Sequence, residues 1–144
     1  MGEKRLAVLL VLLIPLSGCG LYAEAGGSVG FPPESFNLSN GGLEVDGEVV
    51  NGGQTTPRYS NVTVYLFADD GRLLAKEEIG TLEQRTRVHV RADSVAEYII
   101  VDSPEFWNRD ISVTYYELAD VSEGIYTART VGSRSEFPIH IPSR

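Results

Sequence analysis

The sequence predicts an all-β domain, an immunoglobulin-like antiparallel β-sandwich of seven or eight strands. From Leu43 onward, short runs rich in Val, Ile, Tyr and Thr recur at intervals of roughly ten residues. Turn residues separate these runs, and none of the runs shows the period of a helix. Because several runs are apolar on at least one face, two sheets packed face to face would cover apolar surface that a single flat sheet would leave in water.

The first two predicted strands differ in pattern. Residues 43–49 alternate small or apolar residues with carboxylates, which predicts one buried face and one solvated face. The carboxylates are Glu44, Asp46 and Glu48. Residues 62–67 are apolar enough on both faces to be covered twice, so we expect a central strand. The turn Asp69-Asp70-Gly71 then predicts a tight hairpin, because these residues tolerate positive φ.

Further runs complete the predicted domain. Residues 72–80 form the second arm of the hairpin, and residues 85–92 alternate Thr and Val with basic side chains. The basic side chains are Arg85, Arg87, His89 and Arg91. The runs "AEYIIVD", "ISVTYYELA" and "GIYTARTV" are three more candidate strands. Residues 136–142 are expected to form a last edge strand, where prolines are tolerated.

The amino terminus has the features of an export signal. Lys4 and Arg5 precede an apolar run that is well short of the roughly 20 residues needed to span a bilayer. Cys19, the only cysteine, follows small residues, and Leu16-Ser17-Gly18-Cys19 resembles the lipobox of prokaryotic lipoproteins. In that family the thiol is lipidated and the leader is removed. The alternative is an ordinary signal peptide with an incidental cysteine.

The resemblance to lipoproteins implies a division of the chain. Residues 1–18 are expected to be a lipoprotein signal peptide, residues 19–42 a flexible tether, and residues 43–144 the β-sandwich domain. The tether assignment rests on a mixture of Gly, Ser, Pro and Asn without a sustained period. The expected location is the outer face of the cell membrane, to which the lipid on Cys19 holds the protein.

The charge of the chain limits its partners. Its formal net charge is −8, with 20 acidic and 12 basic residues. Because such a surface repels nucleic acid, we expect no nucleic-acid partner. Only two of the basic residues are lysine, and this low lysine content with many carboxylates resembles haloarchaeal proteins. The alternative is a GC-rich coding bias that favours arginine.

Two segments also resemble the FxLYD family. They are Gly47–Gly53 ("GEVVNGG") and Asn61–Leu74 ("NVTVYLFADDGRLL"). The turn of the family's motif is occupied by Tyr65, Leu66, Phe67, Asp69, Asp70 and Gly71, and Ala68 stands where the family usually has aspartate. The resemblance implies a β-sandwich on a secreted or surface protein, usually without an assigned reaction.

The sequence offers little catalytic or metal-binding chemistry. His89 and His140 are the only imidazole bases and neither lies in a recognisable motif, so we expect no enzyme activity and no catalytic residues. Two isolated histidines do not supply a zinc site. Calcium at the acidic stripe is disfavoured because alternate strand residues lie about 6.5 to 7 Å apart. We therefore expect neither a metal nor a cofactor.

Two surfaces are candidates for binding. Arg85, Arg87 and Arg91 could receive an anionic partner or glycan, although cross-strand pairing with Glu44, Asp46 and Glu48 is the favoured interpretation. Phe106 and Trp107, in the loop 102–110, could stack on a sugar or a partner. Burial of these two rings as a plug over the end of the sandwich is favoured.

The expected function follows from these observations. It is a lipid-anchored, non-enzymatic surface interaction or spacer module whose partner is an unidentified envelope protein or glycan. The alternative is a solute- or glycan-binding accessory lipoprotein that uses the loop around Trp107. Asn37 and Asn61 begin N-glycosylation sequons, and Asn37 is the favoured acceptor.

Overall fold

The computed structural model describes residues 28–31, 36–40, 43–52, 58–109, 111–120 and 125–142. Over these ranges the chain is nearly all β, and its strands form a mixed sheet curled into a half-barrel. The strands are β1 (Ser28–Gly30), β2 (Phe36–Ser39), β3 (Glu44–Gly52), β4 (Tyr59–Phe67), β5 (Leu73–Leu82), β6 (Arg85–Arg91), β7 (Tyr98–Asp102), β8 (Ser112–Asp120) and β9 (Ile125–Val131). Single 3-10 turns lie at Phe106–Asn108 and Arg134–Glu136.

The strands follow the order β2-β3-β1-β8-β7-β4-β5. In addition, β6 pairs with β3, and β9 pairs with β8. Strand β1 is antiparallel to β3 and parallel to β8, while the other pairs between described strands are antiparallel. The short strand β1 therefore joins by strand pairing two groups of strands whose buried side chains belong to one hydrophobic core.

Strands β3 to β9 coincide with seven of the predicted strands, so the all-β prediction is confirmed. Along β3 every second residue from Val45 to Asn51 is buried, as the alternation predicts. Strand β4 is buried on both faces from Val62 to Phe67 and lies between β5 and β7, which confirms the expected central strand. In β6 the apolar residues Val88 and Val90 are buried between exposed basic neighbours.

The predicted hairpin turn between β4 and β5 is also confirmed. Gly71 has a φ of 86°, in the region that favours glycine. The backbone N–H of Ala68 donates to the carbonyl of Arg72 at 2.9 Å, and that of Arg72 donates to Asp70 Oδ1 at 3.0 Å. The aspartate therefore closes the turn with its own side chain.

The structure differs from the predicted tether within residues 19–42. Ser28–Gly30 and Phe36–Ser39 are strands of the sheet, and the side chain of Val29 is only 1% exposed. The sheet therefore begins at Ser28 and not at Leu43. Strands of three or four residues are too short to show an alternating pattern in the sequence. They are strands because β1 pairs with β3 and β8, and β2 pairs with β3. The remaining parts of the predicted tether that lie outside the described residues are 19–27, 32–35 and 41–42.

The predicted edge strand at residues 136–142 is wrong. A 3-10 turn is fixed by the Glu136 carboxylate, which accepts the N–H groups of Gly132 at 2.6 Å and Ser133 at 3.2 Å. Pro138 and Pro142, which lack N–H groups, follow the turn. Residues 132–142, here called the C-terminal strap, bury Phe137 and Ile141 against the hydrophobic core.

Apolar side chains cover both faces of the strands β4, β7 and β8. On one face the ring of Tyr116 contacts Phe31, which follows β1, with ring centroids 6.4 Å apart. On the other face Tyr115 contacts Phe137 of the C-terminal strap at 5.8 Å. The strap therefore supplies cover that a strand predicted at the sheet edge would not have supplied.

The half-barrel has two ends, which the strand registers define. Ser28 lies beside Gly52 and Ser112, and the ends of β7 and β9 lie at this same end, here called the entry end. The opposite end, here called the far end, holds the turn 68–72 and the connection 92–97.

Candidate functional site

The stripe of basic side chains on β6 faces the acidic stripe on β3. Each acid lies two residues from its partner in the register, so the contacts run diagonally across the two strands. The pairs are Arg85 Nη1 to Glu48 Oε2 at 3.2 Å, Arg87 Nη2 to Asp46 Oδ2 at 3.3 Å and His89 Nε2 to Glu44 Oε1 at 3.0 Å. The favoured prediction of cross-strand pairing is confirmed.

This pairing leaves little free positive charge for an anionic ligand. The guanidinium groups of Arg85 and Arg87 are each balanced by a carboxylate, and they lie on an open sheet face where water competes for every contact. Arg91, which lies opposite Glu44 in the register, is exposed at the last position of β6. The three arginines follow the strand and do not converge on one point.

The loop after β7 buries one of its two aromatic rings completely. Phe106 has no exposed surface and meets the ring of Tyr59 edge to face, with centroids 5.1 Å apart. The proposed binding surface therefore cannot include Phe106, because its ring lies in the core. Trp107 is half-buried and meets Phe106 at 6.2 Å and Phe137 at 5.6 Å. The favoured interpretation of a plug fits this packing.

A buried carboxylate fixes the orientation of Trp107. Asp102, at the end of β7, is 4% exposed, and its Oδ1 accepts the indole N–H of Trp107 at 2.9 Å. Its Oδ2 accepts Nε of Arg134 at 3.2 Å. Arg134 also donates through Nη2 to the carbonyl of Ile141 at 3.4 Å, so one arginine ties both ends of the C-terminal strap to the sheet. Burying a carboxylate costs free energy unless its oxygens are hydrogen-bonded, and both oxygens of Asp102 accept a hydrogen bond.

A second carboxylate joins the same loop to the start of β4. Glu105 accepts the backbone N–H of Ser60 at 2.6 Å and its hydroxyl at 2.7 Å, while the hydroxyl of Ser103 donates to the carbonyl of Ser60 at 2.7 Å. The two hydrogen bonds from Ser60, helped by the charge of Arg109, hold the pKa of Glu105 below its ordinary value. Arg109 in turn lies 5.6 Å from the ring of Tyr59.

Sequence reasoning missed three of the side chains that fix this loop, Asp102, Glu105 and Arg134. Their partners lie 5 to 45 positions away along the chain. The only local signal was the interruption of the strand pattern by Ser103 and Pro104.

The two histidines lie on exposed surfaces. His89 contacts Glu44 on the stripe, and His140 lies in the C-terminal strap beside a surface recess that Ser135 also lines. The hydroxyl of Ser135 contacts that of Ser133 at 3.1 Å, and no hydrogen bond links it to His140 in the described part of the chain. Over the same residues, no group of three His, Cys, Asp or Glu side chains is arranged to hold a metal ion.

A groove of about 310 Å³ lies beside β1. Residues of β1, β3, β8 and β9, together with Phe31, line it with both apolar and hydroxyl-bearing side chains, and Thr114 and Thr130 contact each other through their hydroxyls at 3.3 Å. The groove is narrow at Gly30, where an added Cβ would lie 2.8 Å from Cβ of Thr114. The groove has no charged lining residue, and sequence analysis did not predict it.

The two sequons differ in accessibility. Asn37 and Ser39 are both exposed on β2, a strand at the edge of the sheet. Asn61 is exposed, but Thr63, the hydroxyl residue of its sequon, is 1% exposed within the central strand β4. The structure therefore presents the whole sequon at Asn37 and only part of the sequon at Asn61.

The lipobox and Cys19 lie outside the described residues. Among the residues that the structure describes, no helix is long and apolar enough to cross a membrane. Comparisons of the chain with protein-family models, with curated protein sequences and with solved structures returned no match.

Proposed function

We propose that the protein is a lipid-anchored, extracytoplasmic β-domain that acts as a non-enzymatic interaction or spacer module at the cell surface. The observation that carries the proposal is the lipobox Leu16-Ser17-Gly18-Cys19 at the end of a short apolar run. A lipid suits a chain of net charge −8, because anionic headgroups repel carboxylates and electrostatic attraction cannot hold it at a membrane. The low lysine content and the many carboxylates support the proposal that the protein works in concentrated salt.

Within this proposal the half-barrel is an open immunoglobulin-like sandwich of the FxLYD type. One layer consists of β2, β3 and β6, the other consists of β5, β4, β7, β8 and β9, and β1 bridges the two. The strand order supports this interpretation, as does the hairpin from β4 to β5 on which the resemblance to FxLYD domains rests.

The non-enzymatic role is supported by the placement of the polar side chains. The buried or half-buried carboxylates Asp102 and Glu105 are occupied by hydrogen bonds from Trp107, Arg134 and Ser60. These contacts hold a loop and a strap in place. A general base must instead have an oxygen or nitrogen free to take a proton from substrate.

The test of the anchor is the fate of the variant Cys19→Ser in the native host. We expect it to stay unprocessed or to leave the membrane fraction, while wild type is found in the membrane pellet with a lipid mass on its amino-terminal peptide. Ser17→Ala is the matched control, because it keeps a small residue before the cysteine and should be processed normally. Membrane retention and normal maturation of Cys19→Ser would contradict the proposal.

A second candidate function is the binding of a glycan or another solute by the loop around Trp107. The observation that favours it is that Trp107 is only half-buried, so part of this residue remains exposed to solvent. Titration with oligosaccharides should then change the tryptophan fluorescence, because Trp107 is the only tryptophan. Unchanged fluorescence together with an unchanged melting temperature would rule out this function for those ligands.

A further inference from the structure

The first observation is the short distance in sequence between Cys19 and the sheet. Strand β1 begins at Ser28, so nine peptide links separate it from the cysteine. Fully extended, a segment of this length spans at most about 30 Å. A lipid on Cys19 would therefore hold Ser28 within about that distance of the headgroups, much closer than a tether reaching to residue 42 would.

The second observation is that β1 is fixed firmly at the entry end. Ser28 pairs with Gly52 on one side and with Ser112 on the other, and Val29 is buried. Gly30 lies so close to Thr114 that a methyl group there would meet its side chain. The anchored segment therefore enters the sheet at a strand that is paired on both sides, and not at an edge strand.

The third observation is an asymmetry of charge between the two ends. We compare charged residues at strand ends and in the connections, among side chains that the structure describes. At the entry end four arginines balance four carboxylates: Arg58, Arg85, Arg109 and Arg134 against Glu83, Asp102, Glu105 and Glu136. At the far end five carboxylates exceed two arginines: Glu44, Asp69, Asp70, Asp93 and Glu97 against Arg72 and Arg91.

We infer that the entry end is the surface that the domain presents to the lipid headgroups, with the far end directed away from the membrane. This inference rests on the proposed lipid anchor at Cys19. Among the described residues at strand ends and in the connections, carboxylates exceed arginines by three at the far end and by none at the entry end, so anionic headgroups repel the far end more strongly than the entry end. The side chain of Arg58 is 74% exposed and contacts Glu83 through Nη2 at 3.1 Å, so the other N–H groups of its guanidinium can donate hydrogen bonds to lipid phosphates.

The inference predicts a difference in distance that two matched labels can measure. Gln84 precedes β6 at the entry end, and Asp93 follows it at the far end; both are exposed. The length of β6 alone separates the two ends by about 20 Å. In Gln84→Cys and Asp93→Cys the new thiol is the one available to a maleimide fluorophore, because the lipid occupies Cys19.

The experiment uses the lipidated full chain in vesicles of phosphatidylcholine with a minor fraction of phosphatidylglycerol. Acceptor dyes on the headgroups should quench the label at position 84 by energy transfer substantially more than the label at position 93. Equal transfer, or greater transfer at 93, would overturn the orientation. If the amino-terminal peptide carries no lipid and the protein does not join the vesicles, the anchor itself fails, and the inference fails with it.

A charge reversal separates electrostatic contact from simple tethering. Arg58→Glu should lower the transfer at position 84 in vesicles that contain phosphatidylglycerol and should have less effect in phosphatidylcholine alone. Arg72→Glu, at the far end, is the matched control and should leave that transfer unchanged. Equal effects of the two reversals would show that the entry end makes no special contact with the headgroups.

Discussion

The stripe on β3 and β6 and the plug at the entry end both pair acids with bases, but they do so at very different depths. On the stripe, the side chains of Arg87 and Asp46 are 76% and 40% exposed. In the plug, the side chain of Asp102 is 4% exposed and is held by Trp107 and Arg134. Exposed pairs contribute about 0–1 kcal/mol, and removing one partner of a fully buried pair costs about 3–5 kcal/mol. The plug pair lies between these limits, because the side chain of Arg134 is 41% exposed.

This difference indicates where the stability of the domain lies. The stripe keeps one face of the sheet solvated and sets the cross-strand register, and each of its contacts is worth little. The plug and the C-terminal strap cover apolar surface that β4, β7 and β8 would otherwise expose. Substitutions in the plug should therefore destabilise the domain far more than substitutions of equal size on the stripe.

The largest expected effect is that of Phe106→Ala. Because the ring is fully buried against Tyr59, its loss should lower the free energy of unfolding by about 3–5 kcal/mol. Leu73→Ala, at a side chain that is 38% exposed, is the control and should cost less than about 1 kcal/mol. Chemical denaturation of both variants measures the difference. Similar losses would mean that the loop does not act as a plug.

The next effect is the coupling between Asp102 and Arg134. We expect a double-mutant cycle with Asp102→Asn and Arg134→Met to give a coupling energy of about 1–3 kcal/mol, discounted because Arg134 is partly exposed. The same cycle with Asp46→Asn and Arg87→Met should give less than about 0.5 kcal/mol. Equal coupling energies in the two cycles would mean that the plug contact contributes no more to stability than the stripe contact.

The two regions also differ in how far the sequence predicts them. The stripe could be predicted because strand residues alternate with period two, so Glu44, Asp46 and Glu48 on one strand fall opposite the basic residues of the other. The plug could be anticipated only as a class, from adjacent aromatic residues after Ser103 and Pro104. The partners of Asp102 and Glu105 depend on tertiary packing, which has no periodic signature.

The strand assignments at β1 and at residues 136–142 failed for different physical reasons. Strand β1 is three residues long, and Ser28 and Gly30 alone would indicate a loop. It is a strand because β3 and β8 leave a gap that fits it. Conversely, the run "EFPIHIP" has the apolar alternation of a strand, but Pro138 and Pro142 lack the N–H groups of a ladder, and the capping box at Ser133 turns the chain across the sheet face.

A smaller effect is expected from acid at Glu105. Because its folded pKa is lowered by the Ser60 hydrogen bonds, this group stabilises the domain above its ordinary pKa of 4.5, and the contribution is lost as pH falls through the folded pKa. Wild type should therefore be more stable than Glu105→Gln at neutral pH, with the difference in melting temperature shrinking below about pH 4.5.

The control for this titration is Glu83→Gln, at a carboxylate that contacts Arg58 at 3.1 Å on the exposed surface. Its difference from wild type should stay small throughout the same pH range, because an exposed pair contributes little. A melting-temperature difference for Glu105→Gln that is constant from neutral to acid pH would mean that the ionised carboxylate is not what joins the loop to β4.

The smallest effect is expected on the stripe, and salt should remove it. Arg87→Gln should lower the free energy of unfolding by less than about 1 kcal/mol in dilute buffer. Near 1 M salt the screening length is about 3 Å, so Arg87→Gln should become as stable as wild type. Asp102→Asn should stay destabilised, because the wild-type carboxylate is buried and salt ions do not screen its contacts. Denaturation of both variants at low and high salt measures this. If Asp102→Asn recovered in salt as fully as Arg87→Gln, burial would not be the property that separates the two regions, since ions would then screen both contacts alike.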